Sequence, residues 1–339
     1  MQFAYPKSWT VDDVHALARD HGYDRVMINM PVAQEVLVTI DREILRKRPE
    51  YWVYLNFIKN TTYDLSCLNY IPSVKCLQIA SDSGSIDLQY LNGLSSLEQL
   101  ALQIPELKSL AMLSHVPTGL KHLFIGKTKS KKLSLYDIER LGKLEKLEID
   151  GISNGLDVIT SLNLLRHLSI RSASVDSLSF IRSLKSLSSL AIRLGSIQDV
   201  TDIESLSNLQ YLEIWRARNL SDLTVLSKCY SVQFIYLEDL PHVKELPSFK
   251  LLGMLRRVYL ENMKGLQALA TIADAPIIQD FAFVNATHLT PDDFDCIVNC
   301  KTLRRAAIGF GSAKKNAVMA QKFANANIAT NGLGTFVFQ

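Results

Sequence analysis

The segment "NLQYLEIWRARNL" (208–220) decides how this chain reads. Leu209, Leu212 and Ile214 stand in the order apolar-x-x-apolar-x-apolar, the spacing of a short strand with one buried edge. Side chains of a strand alternate between its faces, so Tyr211, Glu213 and Trp215 share the opposite, open face. A tryptophan held there beside a glutamate and a tyrosine asks for a role outside the core.

The segment recurs along the chain. In order come "VKCLQIA" (74–80), "LEQLALQ" (97–103), "LKHLFIG" (120–126), "LEKLEID" (144–150), "LRHLSIR" (165–171), "LSSLAIR" (187–193), "LQYLEIW" (209–215), "VQFIYLE" (232–238), "LRRVYLE" (255–261), "IQDFAFV" (278–284) and "LRRAAIG" (303–309). Successive starts lie 23, 23, 24, 21, 22, 22, 23, 23, 23 and 25 residues apart. Upstream, "WVYLNFI" (52–58) fits the frame and "YDRVMIN" (23–29) fits it more weakly. The leucines follow no heptad, which excludes a coiled coil, and a closed sandwich would not keep one period throughout.

This pattern resembles the leucine-rich repeat family over roughly residues 50–310. The expected fold is an α/β solenoid, a leucine-rich repeat horseshoe with a parallel sheet on its concave face and irregular or short-helical returns on its convex side. Each repeat offers three apolar strand residues to a core shared only with its neighbours, so no repeat is stable alone. The returns "SVDSLSFIRSLKSL" (174–187) and "SIQDVTDIESLSNL" (196–209) place apolar residues where a short helical turn faces that core. They resemble the 22-residue class of internalins and of the leucine-rich regulator of protein phosphatase 1. That class places Asn three residues after the last strand leucine. Here those positions hold Pro105, Thr128, Ile152, Ala173, Gly195, Ala217, Leu240, Met263 and Ala286, so no asparagine ladder forms and uneven turns are expected.

A solenoid needs caps to protect its open core. Residues 1–50 read as an N-terminal cap of helices and a first strand. Thr10 is the N-cap of "TVDDVHALARDHG" with Asp13 three residues on, and Val14, Leu17 and Ala18 form its apolar stripe. A second helix within 32–47 carries Val36, Leu37, Ile40, Ile44 and Leu45 on one face. Repeats fill 51–310. Residues 311–339 read as a C-terminal cap, a helix in "KKNAVMAQKFANAN" (314–327) followed by a strand in "GTFVFQ". No linker or second domain is expected.

Composition narrows the function classes. A net charge of +3 on 37 basic and 34 acidic residues is nearly balanced, unlike a dedicated nucleic-acid binder. No basic segment followed by an apolar run opens the chain, no membrane-length apolar stretch follows, and the five cysteines are scattered. These features lead us to expect a soluble cytoplasmic monomer with no nucleic-acid or membrane partner.

Residues with chemistry are few. Cys296 and Cys300 lie one helical turn apart with His288 nearby in sequence, but paired zinc-ligand spacing is missing, and small buried thiols are the simpler reading. Lys127, Lys129, Lys131 and Lys132 read as a solvated loop because no aromatics interleave with them. No nucleophile motif or phosphate-cradling glycine loop stands out. The expectation is a non-enzyme with no catalytic residues, metal or cofactor.

The open face is the remaining candidate. Its seventh-position column reads Asp150, Arg171, Arg193, Trp215, Glu238, Glu261; the fifth reads Glu148, Ser169, Ala191, Glu213, Tyr236, Tyr259; the third reads Lys146, His167, Ser189, Tyr211, Phe234, Arg257. Five aromatics, Tyr211, Trp215, Phe234, Tyr236 and Tyr259, fall in three consecutive repeats. Strands favour aromatics for packing reasons alone, yet monomers rarely expose so dense an apolar patch. With Arg171, Arg193, Arg257, Glu213, Glu238 and Glu261 around them, these residues have the composition of a protein-binding interface. The expected function is a protein-binding scaffold: an adaptor, an inhibitor or an immunity-type protein. The alternatives are an effector acting on a host or competitor, and, from the resemblance, a regulatory subunit of a phosphatase.

Overall fold

The computed structural model describes residues 3–4, 9–57, 65–82, 86 and 88–339; Ile58, the end of the "WVYLNFI" motif, lies outside them. The chain forms two compact units, Met1–Leu165 and Arg166–Gln339.

Among the described residues of the first unit, seven strands follow chain order, each parallel to the next. They are β1 (Phe3–Ala4), β2 (Arg25–Ile28), β3 (Trp52–Phe57), β4 (Cys76–Ser81), β5 (Gln99–Gln103), β6 (His122–Ile125) and β7 (Lys146–Asp150). The cap helix Val11–Arg19 begins at Thr10, whose hydroxyl accepts from the Asp13 N–H while the Asp13 carboxylate accepts from the Thr10 N–H. These two bonds satisfy donors that a helix start leaves unpaired. Val14 and Leu17 are buried beneath it. The helix Gln34–Ile40 continues into a π-helical turn, Asp41–Leu45, and buries all five expected apolar residues. Buried Asp41 accepts from the backbone and hydroxyl of Ser73 and from Arg46, which ties the cap to the return segment before β4.

The second unit holds β8 (His167–Arg171), β9 (Ser189–Arg193), β10 (Tyr211–Trp215), β11 (Phe234–Glu238), β12 (Arg257–Glu261), β13 (Asp280–Val284) and β14 (Arg305–Ile308). Each is parallel to the next and in register, so that Tyr211 pairs with Phe234 and Phe234 with Arg257. Leu209, Leu212 and Ile214 are buried as their spacing requires. After β8, β9 and β10 the returns hold short 3₁₀ turns, Ser179–Ile181, Thr201–Ser205 and Thr224–Lys228, whose Phe180, Ile181, Ile203, Val225 and Leu226 face the same core.

The expected unevenness of the turns does not hold in this unit. After each of six successive strands one residue takes a left-handed conformation: Ser172, Leu194, Arg216, Asp239, Asn262 and Asn285, with φ between +50° and +60°. That geometry turns five of the six N–H groups onto the next repeat's strand-end carbonyl, from Ser172 N–H on Arg193 at 2.8 Å to Asn262 N–H on Val284 at 3.1 Å. The residue that follows is an apolar plug in most repeats; Ala173, Ala217, Leu240, Met263 and Ala286 are buried. Sterically the left-handed conformation is unfavourable for most L-residues and mildest for Asn and Asp, which occupy three of the six positions.

At the C-terminal end the expected helix is present as Ala313–Asn325, with the Ser312 hydroxyl accepting from the Lys315 N–H. The expected strand in "GTFVFQ" is not formed. Only Ala329 bridges to β14, at Arg305. The chain then turns at Gly332 (φ +93°) and Gly334 (φ +63°), angles that glycine adopts without strain. Residues 333–339 lie back over the open face, where Phe336 and Phe338 meet aromatic rings instead of a strand edge.

Candidate binding face of β8 to β12

Strand alternation and register bring the predicted residues together in three rows. The seventh-position row is Arg171, Arg193, Trp215, Glu238, Glu261, each paired with the next. Trp215 is half-buried, with the guanidinium carbons of Arg171 and Arg216 each 5.5 Å from its ring centroid. Its indole N–H is buried and meets no acceptor. Arg216 in turn holds Asp239 at 2.5 Å.

In the fifth-position row, Tyr236 and Tyr259 stack with centroids 4.9 Å apart and planes 15° from parallel. The Tyr236 hydroxyl donates to Glu238 at 2.6 Å and lies 3.5 Å from Glu261. Burial and these carboxylates hold both phenols above the usual tyrosine range. Partial burial, reinforced by the charge of Glu238, also pushes the Glu261 carboxyl above the ordinary glutamate range. An aromatic pair rimmed by two carboxylates is therefore short of positive charge.

Glu213 is placed differently from the expectation. It is buried, clamped by Arg193 through two bonds of 2.6 Å and by the Tyr211 hydroxyl at 2.9 Å. Paired this fully, Glu213 orients Arg193 and Tyr211 instead of facing a partner. Burial first, then the Glu213 charge, raises the Tyr211 phenol.

Arg257, also expected on the open interface, is buried. Its guanidinium pairs with Asp280 at 2.7 Å and donates to the carbonyls of Leu333 and Gly334 at 2.6 and 3.0 Å. Arg305 binds the other side of the same carboxylate at 2.6 Å. The third-position row thus continues through Asp280 and Arg305, a sequence signal that the register makes plain. Phe234 packs against Phe336 at 5.3 Å and Tyr211 against Phe338 at 6.4 Å. Arg171, Trp215, Tyr236, Glu238, Tyr259 and Glu261 are brought together as expected; Tyr211, Phe234 and Arg257 lie under the chain's own tail.

The other motifs are engaged locally. His288 Nε2 lies 2.8 Å from the Leu266 carbonyl, while Cys300 approaches Thr302 and the Ala273 carbonyl. Cys296 and Cys300 are half-buried, less enclosed than their expected core positions. Among the described residues no three His, Cys, Asp or Glu side chains are grouped to hold a metal. In the lysine loop, Lys129 pairs with Glu106. No helix among the described residues is long and apolar enough to cross a membrane.

No protein-family profile matches this chain. No curated protein matches it either. Solved structures do. An internalin of Listeria monocytogenes, InlF, superposes with a TM-score of 0.59 at 16% identity, over 96% of this chain and 95% of that one. The chain has the leucine-rich repeat fold. A leucine-rich repeat protein of Leptospira interrogans gives a TM-score of 0.50 at 18% identity, over 91% of this chain and 90% of that one. At these identities the likeness describes the backbone path.

Proposed function

We propose that this leucine-rich repeat chain is a non-enzymatic protein-binding scaffold whose partner seats on the open face of β8 to β12. The observation that carries the reading is the in-register patch of Trp215, Tyr236 and Tyr259, aromatic side chains set on the strand faces that do not serve the core. Rigid aromatics of this kind supply large contact area at low entropic cost and dominate interface energies. The carboxylates beside them favour a partner that presents a basic side chain, which would relieve the repulsion between Glu238 and Glu261.

Adaptor, inhibitor and immunity-type roles all need such a surface. The effector and phosphatase-regulator readings also need it. The reading is tested by tagging the protein in its native cell, capturing its partner and comparing Trp215→Ala and Tyr259→Ala with Lys132→Ala. Loss of the captured protein with the first two and retention with the third supports the face; equal capture by all three refutes it.

A further inference from the structure

The tail that covers the third-position row is held as a ligand is held. Gln233, almost fully buried, donates from its amide to the Gln339 main-chain oxygen at 2.7 Å and accepts from the Gln339 N–H at 2.9 Å. A side-chain amide that reads both polar groups of one residue recognises backbone, whatever that residue's identity. Arg256, buried as well, donates at 2.7 Å to the Val337 carbonyl and at 2.6 Å to Gln233, which fixes the reader in place. Arg257 takes the carbonyls of Leu333 and Gly334. Three buried side chains, Gln233 just before β11, Arg256 just before β12 and Arg257 at the start of β12, therefore converge on one segment.

Side-chain recognition sits between these backbone bonds. Phe336 lies on Phe234, with the guanidiniums of Arg256 and Arg257 at 4.8 and 5.0 Å from its centroid. Phe338 turns its edge to Tyr211 and packs on Phe336 at 4.9 Å. In an extended segment residues two apart share a side, so Phe336 and Phe338 both reach the row while Val337 points out, 71% exposed. A cavity of about 240 Å³ continues past Phe338 between Tyr211, Ser188 and Ser189. The cover is shallow: Phe338 remains 43% exposed.

We propose that Gln233, Arg256, Arg257, Phe234 and Tyr211 form a receptor groove for an extended aromatic-x-aromatic peptide, and that residues 333–339 fill it in cis and compete with a partner segment of that chemistry. This rests on the reading of the open face as a binding surface but adds a second subsite and its regulation. The tether from Ala329 is short, and short flexible linkers give effective concentrations on the order of millimolar. A partner peptide must therefore outbid a local competitor, and anything that peels the tail away uncovers the groove.

The test needs no natural partner. A fluorescein-labelled peptide LGTFVFQ, the sequence of 333–339, is titrated by anisotropy against the full chain and against the full chain carrying Phe336→Ser and Phe338→Ser. The doubly substituted chain should bind the peptide at least about tenfold more tightly than the unsubstituted one, because the cis competitor is disarmed. Adding Gln233→Ala to that chain should weaken binding about tenfold or more, as loss of a bidentate buried contact does. The control peptide LGTSVSQ should not bind. Absence of peptide binding to the doubly substituted chain at about 1 mM, or equal binding to both chains, overturns the proposal. So does a fall in its thermal midpoint as large as that of Leu212→Ala, which would make the tail part of the core. A dimer in sedimentation that dissociates on the same substitutions would mean that a second copy supplies the tail, and would overturn competition in cis. None of these outcomes depends on Trp215, so the groove can fail while the proposed function stands, and the reverse.

Discussion

Leu212 and Trp215 stand three residues apart on β10 and face opposite sides, so truncating each to alanine separates core from surface. Leu212 is fully buried. Leu212→Ala removes its packing and leaves a cavity, at a cost of about 2–5 kcal/mol. For a unit of this size each kcal/mol lowers the midpoint by about 2–4 °C, so a fall of about 4 °C or more is expected. For Trp215 the contributions oppose one another. Its contacts with Arg171 and Arg216 are worth about 0.5–1 kcal/mol each. Its buried, unpaired indole N–H costs about 1–3 kcal/mol, and alanine removes that cost. Trp215→Ala should therefore fall between a loss of about 1 kcal/mol and a gain of about 2 kcal/mol, the limits of that balance, and well short of the cost of Leu212→Ala. Binding should respond in the other direction: a central aromatic anchor contributes 2 kcal/mol or more, about thirtyfold in affinity. Thermal unfolding by circular dichroism gives the first quantity and titration of the captured partner the second. If Trp215→Ala unfolds as early as Leu212→Ala and still binds, the tryptophan is structural and the assignment of the open face is refuted.

Acid sensitivity should reside partly in the first unit. Glu98 is clamped by Lys121 and Lys75, each at 2.7 Å, which holds its carboxyl at about 2 against an ordinary 4.5. A depressed carboxylate stabilises the fold above its unfolded value and loses that contribution as pH falls toward 2; Glu98→Gln should lower the midpoint at pH 7 and flatten the acid limb of a pH-unfolding series. Leu194 holds a left-handed conformation, φ +54°, without glycine's freedom or asparagine's tolerance. Leu194→Asn should raise the midpoint by up to about 1 kcal/mol equivalent in chemical denaturation; a decrease would mean that the leucine's packing outweighs its backbone strain. At Gly265 a methyl group would lie 2.5 Å from the Pro241 carbonyl oxygen and 2.8 Å from that of Val243. Both are backbone atoms with little room to move, so Gly265→Ala should destabilise, and an unchanged midpoint would contradict that.

The repeat itself was legible because its cause is local. An apolar residue at the first, fourth and sixth position of each motif is enough to choose a strand, a phase and a buried face, and neighbouring copies then supply one another's core. Leu209, Leu212 and Ile214 therefore went where their spacing put them, as did Thr10 with Asp13 at the first helix. Half of the regular turns were marked in the sequence, one position earlier than the asparagine rule looks, by Asp239, Asn262 and Asn285; Ser172, Leu194 and Arg216 take the same left-handed conformation without such a mark.

What tertiary structure alone decided is which open-face residues remain open. Alternation assigns Arg257, Glu213 and Trp215 to the same face without distinguishing them. Glu213 is withdrawn by Arg193 from the neighbouring strand, an ion pair that exists only once β9 and β10 are in register. Arg257 is withdrawn by carbonyls 76 and 77 residues downstream. No pattern within a repeat of about 23 residues can report a contact of that separation. It depends on where two glycines turn the chain and on aromatic residues, Phe336 and Phe338, whose alternation suits a strand equally well. Local periodicity determines the side a residue faces; only the folded chain determines what already stands in front of it.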